Sequence, residues 1–298
     1  MRITIIGLGL IGGSMAIDLR KKGVATRLIG VDQNDEHAVE ALRLGIVDEI
    51  KNVEDAVTDT DLIILAIPVT AMVGVIAELL NKVDSGVTII DTGSTKAAIC
   101  NSVRSNENRS QFVAAHPIAG TENSGPEAAF SGLFTNKTMI VCERELSSSA
   151  SMAVAEKVFA ALGVKTIFMN PVEHDKHVAY VSHLSHVSSF LLGQTVMDIE
   201  KDEKNIFDLA GSGFASTVRL AKSSPDMWAP IFEQNVEYLS QALLEYIMHL
   251  QRFHYHLMKK DSKEIHRIMT EANEIRRVLG GIELKDEKLN KVESLIEE

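Results

Sequence analysis

Four segments of the chain carry side chains that can move a proton or grip an anion, and a fifth, at its start, has the spacing of a phosphate cradle. In DTGSTK, residues 91–96, Ser94 and Lys96 follow an apolar run; the same residues also suit a strand-to-helix turn capped by Ser94 or Thr95. In AAHPIAGTENSGPEAA, residues 114–129, an apolar run delivers His116 into a loop broken by Pro117, Gly120, Gly125 and Pro126. Oxidation of an alcohol by hydride transfer requires a base for the hydroxyl proton, and imidazole titrates in the right range; a structural histidine is the alternative. HDKHVAYVSHLSHVSS, residues 174–189, holds His174, His177, His183 and His186. Their i,i+3 spacing invites a metal reading, but no complete H-E-x-x-H is present, so polar contacts are expected and no metal. In AGSGFASTVRLAKSSPDMWAP, residues 210–230, Arg219 stands among Phe214, Val218 and Leu220, where its planar fork can hold a carboxylate or join an interdomain salt bridge.

The fifth segment is TIIGLGLIGGSMAID, residues 4–18. Gly7, Gly9 and Gly12 have the G-x-G-x-x-G spacing behind a strand-like run, and Asp32 closes LIGVD 20 residues after Gly12. The first glycine permits the turn, the second a close approach of pyrophosphate, the third tight helix–strand packing. Gly7, Gly9, Leu10, Ile11 and Gly12 are therefore expected to bind a dinucleotide through helix-start amides. Asp32 is expected to accept both ribose hydroxyls of NAD and to disfavour the 2'-phosphate of NADP.

Positioning these groups requires alternating elements. Apolar runs at 2–6, 28–32, 61–68, 86–91, 111–117, 138–143 and 164–169 read as strands, with helices near 13–22, 35–44, 69–81 and 149–162. That order predicts an α/β, Rossmann-type doubly wound sheet. Beyond Pro171 the pattern turns helical, near 172–199, 225–258 and 261–279, giving a C-terminal all-helical domain. The expected domains are residues 1–171, binding dinucleotide, and 172–298, binding substrate and forming a homodimer through helices apolar around much of their circumference. The final ELKDEKLNKVESLIEE reads as a solvated terminal helix or frayed tail.

With 298 residues, 45% of them hydrophobic, the chain can fill two domains. A net charge of -11 argues against nucleic acid as a partner, and no run is long and apolar enough for a membrane. Two cysteines and no signal peptide fit a cytoplasmic protein.

The motifs GLGLIGGS, DTGSTK, HPIAGTE, HD with SHLSH, and STVRLAKSSPDMW, in this order, resemble the prephenate dehydrogenase family, which includes arogenate and cyclohexadienyl dehydrogenases. The resemblance spans nearly the whole chain. It implies NAD-dependent conversion of prephenate to 4-hydroxyphenylpyruvate and carbon dioxide in tyrosine biosynthesis. By the same resemblance His116 would accept the ring hydroxyl proton and Ser94 would orient that hydroxyl and His116. Arg219 would grip a substrate carboxylate, His186 would bind substrate, and Glu122 would serve active-site ionic contacts and entry control. His183, Ser212 and Trp228 would support; some members carry glycine at the position of Ser212, which puts a side-chain role there in doubt. Neither a fused chorismate mutase nor a regulatory ACT domain is expected. Arogenate or both substrates remain open, as do another NAD-dependent hydroxyacid dehydrogenase and a non-catalytic NAD-binding regulator.

Overall fold

A computed structural model describes residues 1–203 and 205–281; the tail expected at 283–298 lies outside them. Two compact units are present, dividing between Leu239 and Ser240.

The first unit is built on a sheet. β1 (Arg2–Ile6), α1 (Leu10–Lys21), β2 (Arg27–Val31), α2 (Asp35–Arg43), β3 (Glu49–Ile50), α3 (Val53–Ala56), β4 (Leu62–Leu65), α4 (Val69–Lys82), β5 (Thr88–Asp91), α5 (Ala97–Ser102) and β6 (Phe112–Ile118) follow in order. Then come β7 (Thr138–Cys142), α6 (Ser149–Leu162) and β8 (Lys165–Met169). Eight strands lie in the order β3-β2-β1-β4-β5-β6-β7-β8. β3 through β6 run parallel, as the alternation of strands and helices predicts. β7 pairs antiparallel with β6, and β8 is again parallel to β7. The reversal was not legible, because an apolar run carries no direction. The short β3, α3 and α5 are likewise unmarked in the sequence, being too brief to show a period.

Both faces of the sheet are covered, so the strands alternate between two cores. In β4, Leu62 and Ile64 join one cluster with Met15 and Leu19 of α1 and Phe159 of α6. Ile63 and Leu65 join the other, with Met72, Ile76 and Leu79 of α4. This is the period-two packing of a strand buried on both sides.

After β8 the chain enters a long helix in three parts. Asn170 caps it, accepting the Val172 amide at 2.9 Å, with Pro171 in the first turn. α7 (Pro171–Val178) passes through a π-helical turn, Ala179–His183, into α8 (Leu184–Glu200). α9 (Ser212–Val218) and α10 (Pro225–Gln234) follow. Trp228 and Ile231 of α10 belong to the second core cluster, beside α4. α11 (Val236–Met258) continues into the second unit, where α12 (Ser262–Ala272) is joined to it by Arg252–Glu264 at 2.9 Å.

The turn between β1 and α1 depends on glycine at two points. Gly7 has φ +96, and a Cβ there would stand 2.3 Å from the Ala66 carbonyl oxygen. A Cβ on Gly12 would stand 2.0 Å from the Gly7 oxygen, so the helix packs on the turn only without a side chain. Gly9 differs: no protein atom lies within 4 Å of its would-be Cβ. Gly12→Ala is therefore expected to destabilise the chain by about 1–3 kcal/mol through overpacking. Gly9→Ala should change stability by less than about 1 kcal/mol. Urea midpoints of the two variants check this; equal shifts would contradict it.

Candidate active site

Asp91 ends β5, and the loop that follows folds back so that Lys96 reaches it. Both side chains are wholly buried, and Lys96 Nζ donates to Asp91 Oδ2 and, at 2.7 Å, to the Ala115 carbonyl. Asp91 in turn accepts the amides of Gly93 at 2.8 Å and Ala115 at 3.1 Å. A buried ion pair is tolerated where hydrogen bonds satisfy the remaining lone pairs and protons, as here. The result locks the loop after β5 to β6 at the residue preceding His116.

His116 emerges half-buried near the carboxyl end of β6. Its Nδ1 lies 2.8 Å from Nε2 of His174 on α7, and His174 Nδ1 lies 2.7 Å from Asp175 Oδ1. Asp175 also accepts the amides of Lys96 at 2.7 Å and Ala97 at 2.9 Å. It thus supplies the N-terminal cap of α5 from another element. The expected capping by Ser94 or Thr95 is not what forms: Lys96 holds the cap position and makes no side-chain cap bond. Thr95 instead donates to Gln234 Oε1 at 2.6 Å, tying α10 to this loop.

The π-helical turn explains how His174 and His183 serve one site. Nine residues of α-helix make about two and a half turns, which would set them on opposite sides. A π turn inserts extra backbone and retards the rotation. Asn235, just past α10, consequently reaches both, with Nδ2 2.7 Å from the Asp175 carbonyl and 3.1 Å from His183 Nδ1. His186 stacks on Trp228 with ring centroids 3.5 Å apart, and its Nδ1 donates to the Ser182 carbonyl at 3.1 Å. Trp228 Nε1 is a buried donor that no group among the described residues accepts. His177 is exposed, away from this cluster, and among the described residues no group of three or more His, Cys, Asp or Glu could hold a metal.

Burial sets the protonation of these rings. His116 is held well below its ordinary value of 6.5, by desolvation first and then by His174, Lys96 and His183. Desolvation lowers His174 too, against the opposing pull of Asp175, and it carries His183 to about 4. The site therefore presents neutral imidazole at neutral pH, fit to accept a proton.

The other expected residues are placed as follows. Arg219, exposed after α9, donates from Nη1 to Glu122 Oε2 at 2.9 Å. Glu122 is held below the ordinary carboxylate value by its own backbone amide and by Arg219. Ser94 is half-buried in the loop after β5, and among the described residues no hydrogen bond joins it to His116. Ser212 is exposed at the start of α9. At the other end of the site, α1 has no side-chain cap and no acidic residue in its first turn, which leaves its leading amides for an anion. The space open beside Gly9 suits the approach of a phosphate. Asp32 follows β2 directly, with its carboxylate held by the amides of Leu8 at 2.8 Å and Asn34 at 2.9 Å. A dinucleotide fits these residues.

Asp175, Asp91 and Asn235 are not singled out by the sequence, and His174 stands there only as one of four spaced histidines. The HD pair after Pro171 and the aspartate ending β5 were the available signals, but each gains meaning only from a partner distant in the chain.

Comparison with known proteins supplies an independent finding. The model described as prephenate dehydrogenase, nucleotide-binding domain, matches residues 15–168, and that described as prephenate dehydrogenase, dimerization domain, matches residues 170–271. The chain is 31% identical to prephenate dehydrogenase of Bacillus subtilis over 286 residues, covering 92% of this chain and 75% of that protein. Among solved structures it resembles Aquifex aeolicus prephenate dehydrogenase in complex with hydroxyphenyl propionate and NAD+, at TM-score 0.84 and 30% identity, covering 94% of this chain and 98% of that one. Synechocystis arogenate dehydrogenase matches at TM-score 0.73 and 28% identity, covering 94% and 100%.

The depressed histidines predict acid sensitivity. With its pKa near 4 in the folded chain against an ordinary 6.5, His183 takes up a proton more readily when unfolded. Its contribution to stability is complete above that ordinary value and is lost as pH falls toward the folded one, to an extent of at most about 3 kcal/mol. Urea midpoints at neutral and mildly acidic pH should therefore differ less in His183→Gln than in the unaltered chain. An identical acid loss in both would refute this.

Proposed function

The chain belongs to the prephenate dehydrogenase family, and from that premise we propose that it is an NAD-dependent enzyme converting prephenate to 4-hydroxyphenylpyruvate and carbon dioxide in tyrosine biosynthesis. The observation that carries the reading is His116: a half-buried, neutral imidazole near the carboxyl end of β6, clamped on one ring nitrogen. In this sheet architecture ligands lie beyond the carboxyl ends of the strands.

The leading amides of α1 and the glycines Gly7, Gly9 and Gly12 hold the pyrophosphate, with Leu10 and Ile11 in the same turn, and Asp32 takes the ribose hydroxyls. When bound, NAD supplies the hydride acceptor. His116 takes the proton of the ring 4-hydroxyl as the hydrogen on that carbon leaves as hydride, so the carbon becomes a carbonyl. The ring carboxylate then departs as carbon dioxide. Its bonding electron pair enters the ring and reaches the carbonyl oxygen as aromaticity forms, and the His116 proton can return to that oxygen. Ser94, at the same sheet edge, orients the hydroxyl. Arg219 grips a carboxylate, for which it must release Glu122, so Glu122 competes with substrate for the cation. His186 and Trp228 line the apolar side, with Ser212 in support.

We assign residues 1–171 to dinucleotide binding and residues 172–298 to substrate binding and a homodimer. Apolar side chains left exposed on α8, among them Leu191 at 50% and Met197 at 62%, support a second copy as their cover. The likeness to an arogenate dehydrogenase makes arogenate the second substrate to assay.

Four outcomes are expected. Purified protein should form NADH with prephenate; activity on arogenate alone would replace the substrate, and silence on both from protein that binds NAD would end the reading. His116→Asn should lower kcat by about 10²–10⁴-fold, whereas Arg219→Ala should chiefly raise KM for prephenate, by about 10–100-fold. Asp32→Ala should weaken NAD more than NADP, and a proportional loss of both would remove the ribose contact.

A further inference from the structure

We infer that His174 and Asp175 act as a pair of positioning residues that fix the tautomer of His116, leaving its Nε2 as the bare lone pair that faces substrate. The kinetic part of this inference rests on the reading of His116 as the base.

The direction of every proton in the chain follows from Asp175. Its carboxylate accepts two backbone amides, Lys96 on Oδ1 and Ala97 on Oδ2, and an amide N–H cannot act as an acceptor in return. Both oxygens are thus committed as acceptors, and Oδ1 also lies 2.7 Å from His174 Nδ1. That nitrogen must carry the proton. In a neutral ring Nε2 is then a lone pair, and it stands 2.8 Å from His116 Nδ1. The His116 nitrogen must therefore be the donor, which puts the proton of a neutral His116 on Nδ1 and leaves Nε2 free. The opposite tautomer would set two lone pairs, or two protons, against each other across one of these short contacts.

The arrangement is held from several sides. His174 is fully buried, and Asp175 is 3% exposed. Asn235 grips the Asp175 carbonyl, and Lys96, whose own amide bonds the Asp175 carboxylate, anchors Ala115 beside His116. When His116 takes a proton at Nε2, the new cation is bonded to a lone pair that is itself polarised by a carboxylate. Of the groups around His116, the charged one is Lys96, which opposes that proton, while the His174 and His183 rings beside it are held neutral by burial. The base is thereby aimed by residues that need not touch substrate, an arrangement that recurs wherever a histidine must present one chosen nitrogen.

The test is a long-range 1H–15N spectrum of the full chain with histidine ring nitrogens labelled, at pH 8, with His116 assigned by the signals missing from His116→Asn. Protonated Nδ1 and bare Nε2 on both His116 and His174 is the expected result, and it needs no substrate. Protonation of His116 at Nε2 would overturn the inference. In His174→Phe the ring of His116 should lose its single tautomer, and kcat should fall about 10- to 100-fold with KM for prephenate within about 2-fold. His174→Gln keeps a donor for Asp175 and an acceptor for His116, and should recover most of that kcat and the original tautomer. A fall in kcat equal in both variants, or without a tautomer change, would show a merely structural role. If neither prephenate nor arogenate proves to be a substrate, the wild-type spectrum still decides the tautomer, so the two readings can fail separately.

Discussion

Lys96 and Asp91 are sealed from water as an ion pair, and the geometry of the candidate site descends from them. A charge in that position without its partner would be strongly destabilising, on the order of 3–5 kcal/mol. The two residues are therefore obliged to meet, and in meeting they bend the loop after β5 back onto β6. Lys96 then spends a further donor on the Ala115 carbonyl, and Asp91 accepts the Ala115 amide. The backbone before His116 is gripped on both its polar groups, so this catalytic candidate leaves the sheet from a fixed point.

That constraint extends outward through a second carboxylate. Because the bent loop presents the leading amides of α5 without a local cap, Asp175 from α7 fills the need. The long helix after Pro171 is thus keyed to the sheet through the same carboxylate that receives His174. Its π-helical turn then brings His183 round to Asn235, and the following α-helical turn carries His186 onto Trp228. Polar groups buried here are satisfied by one another, which explains how so many can sit in a dry site. Trp228 Nε1 is the exception at this site among the described residues, a buried donor without an acceptor.

Burial also selects the chemistry. Desolvation outweighs Asp175 at His174 and dominates at His116 and His183, so the rings stay uncharged where water-exposed histidines would begin to take protons. An uncharged ring suits a proton acceptor, whereas Arg219 lies exposed and is paired with Glu122.

Much of this was legible in the amino-acid order. The glycine spacing, Asp32 after its strand, the alternation of apolar runs and the helical character beyond Pro171 are local patterns, and local sterics and periodicity write them directly into a sequence. His116 and Arg219 stood out by type and setting and Glu122 only through the family resemblance, although nothing local indicated that Glu122 and Arg219 would pair. The antiparallel β7, the cap of α5 by Asp175, the π-helical turn and the His116–His174 bond were decided only by tertiary structure. Each joins groups far apart in the chain, 58 residues for the two histidines and 78 for Asp175 and Ala97, and a side chain's partner is set by which buried groups must satisfy each other once the sheet and helices have closed over them.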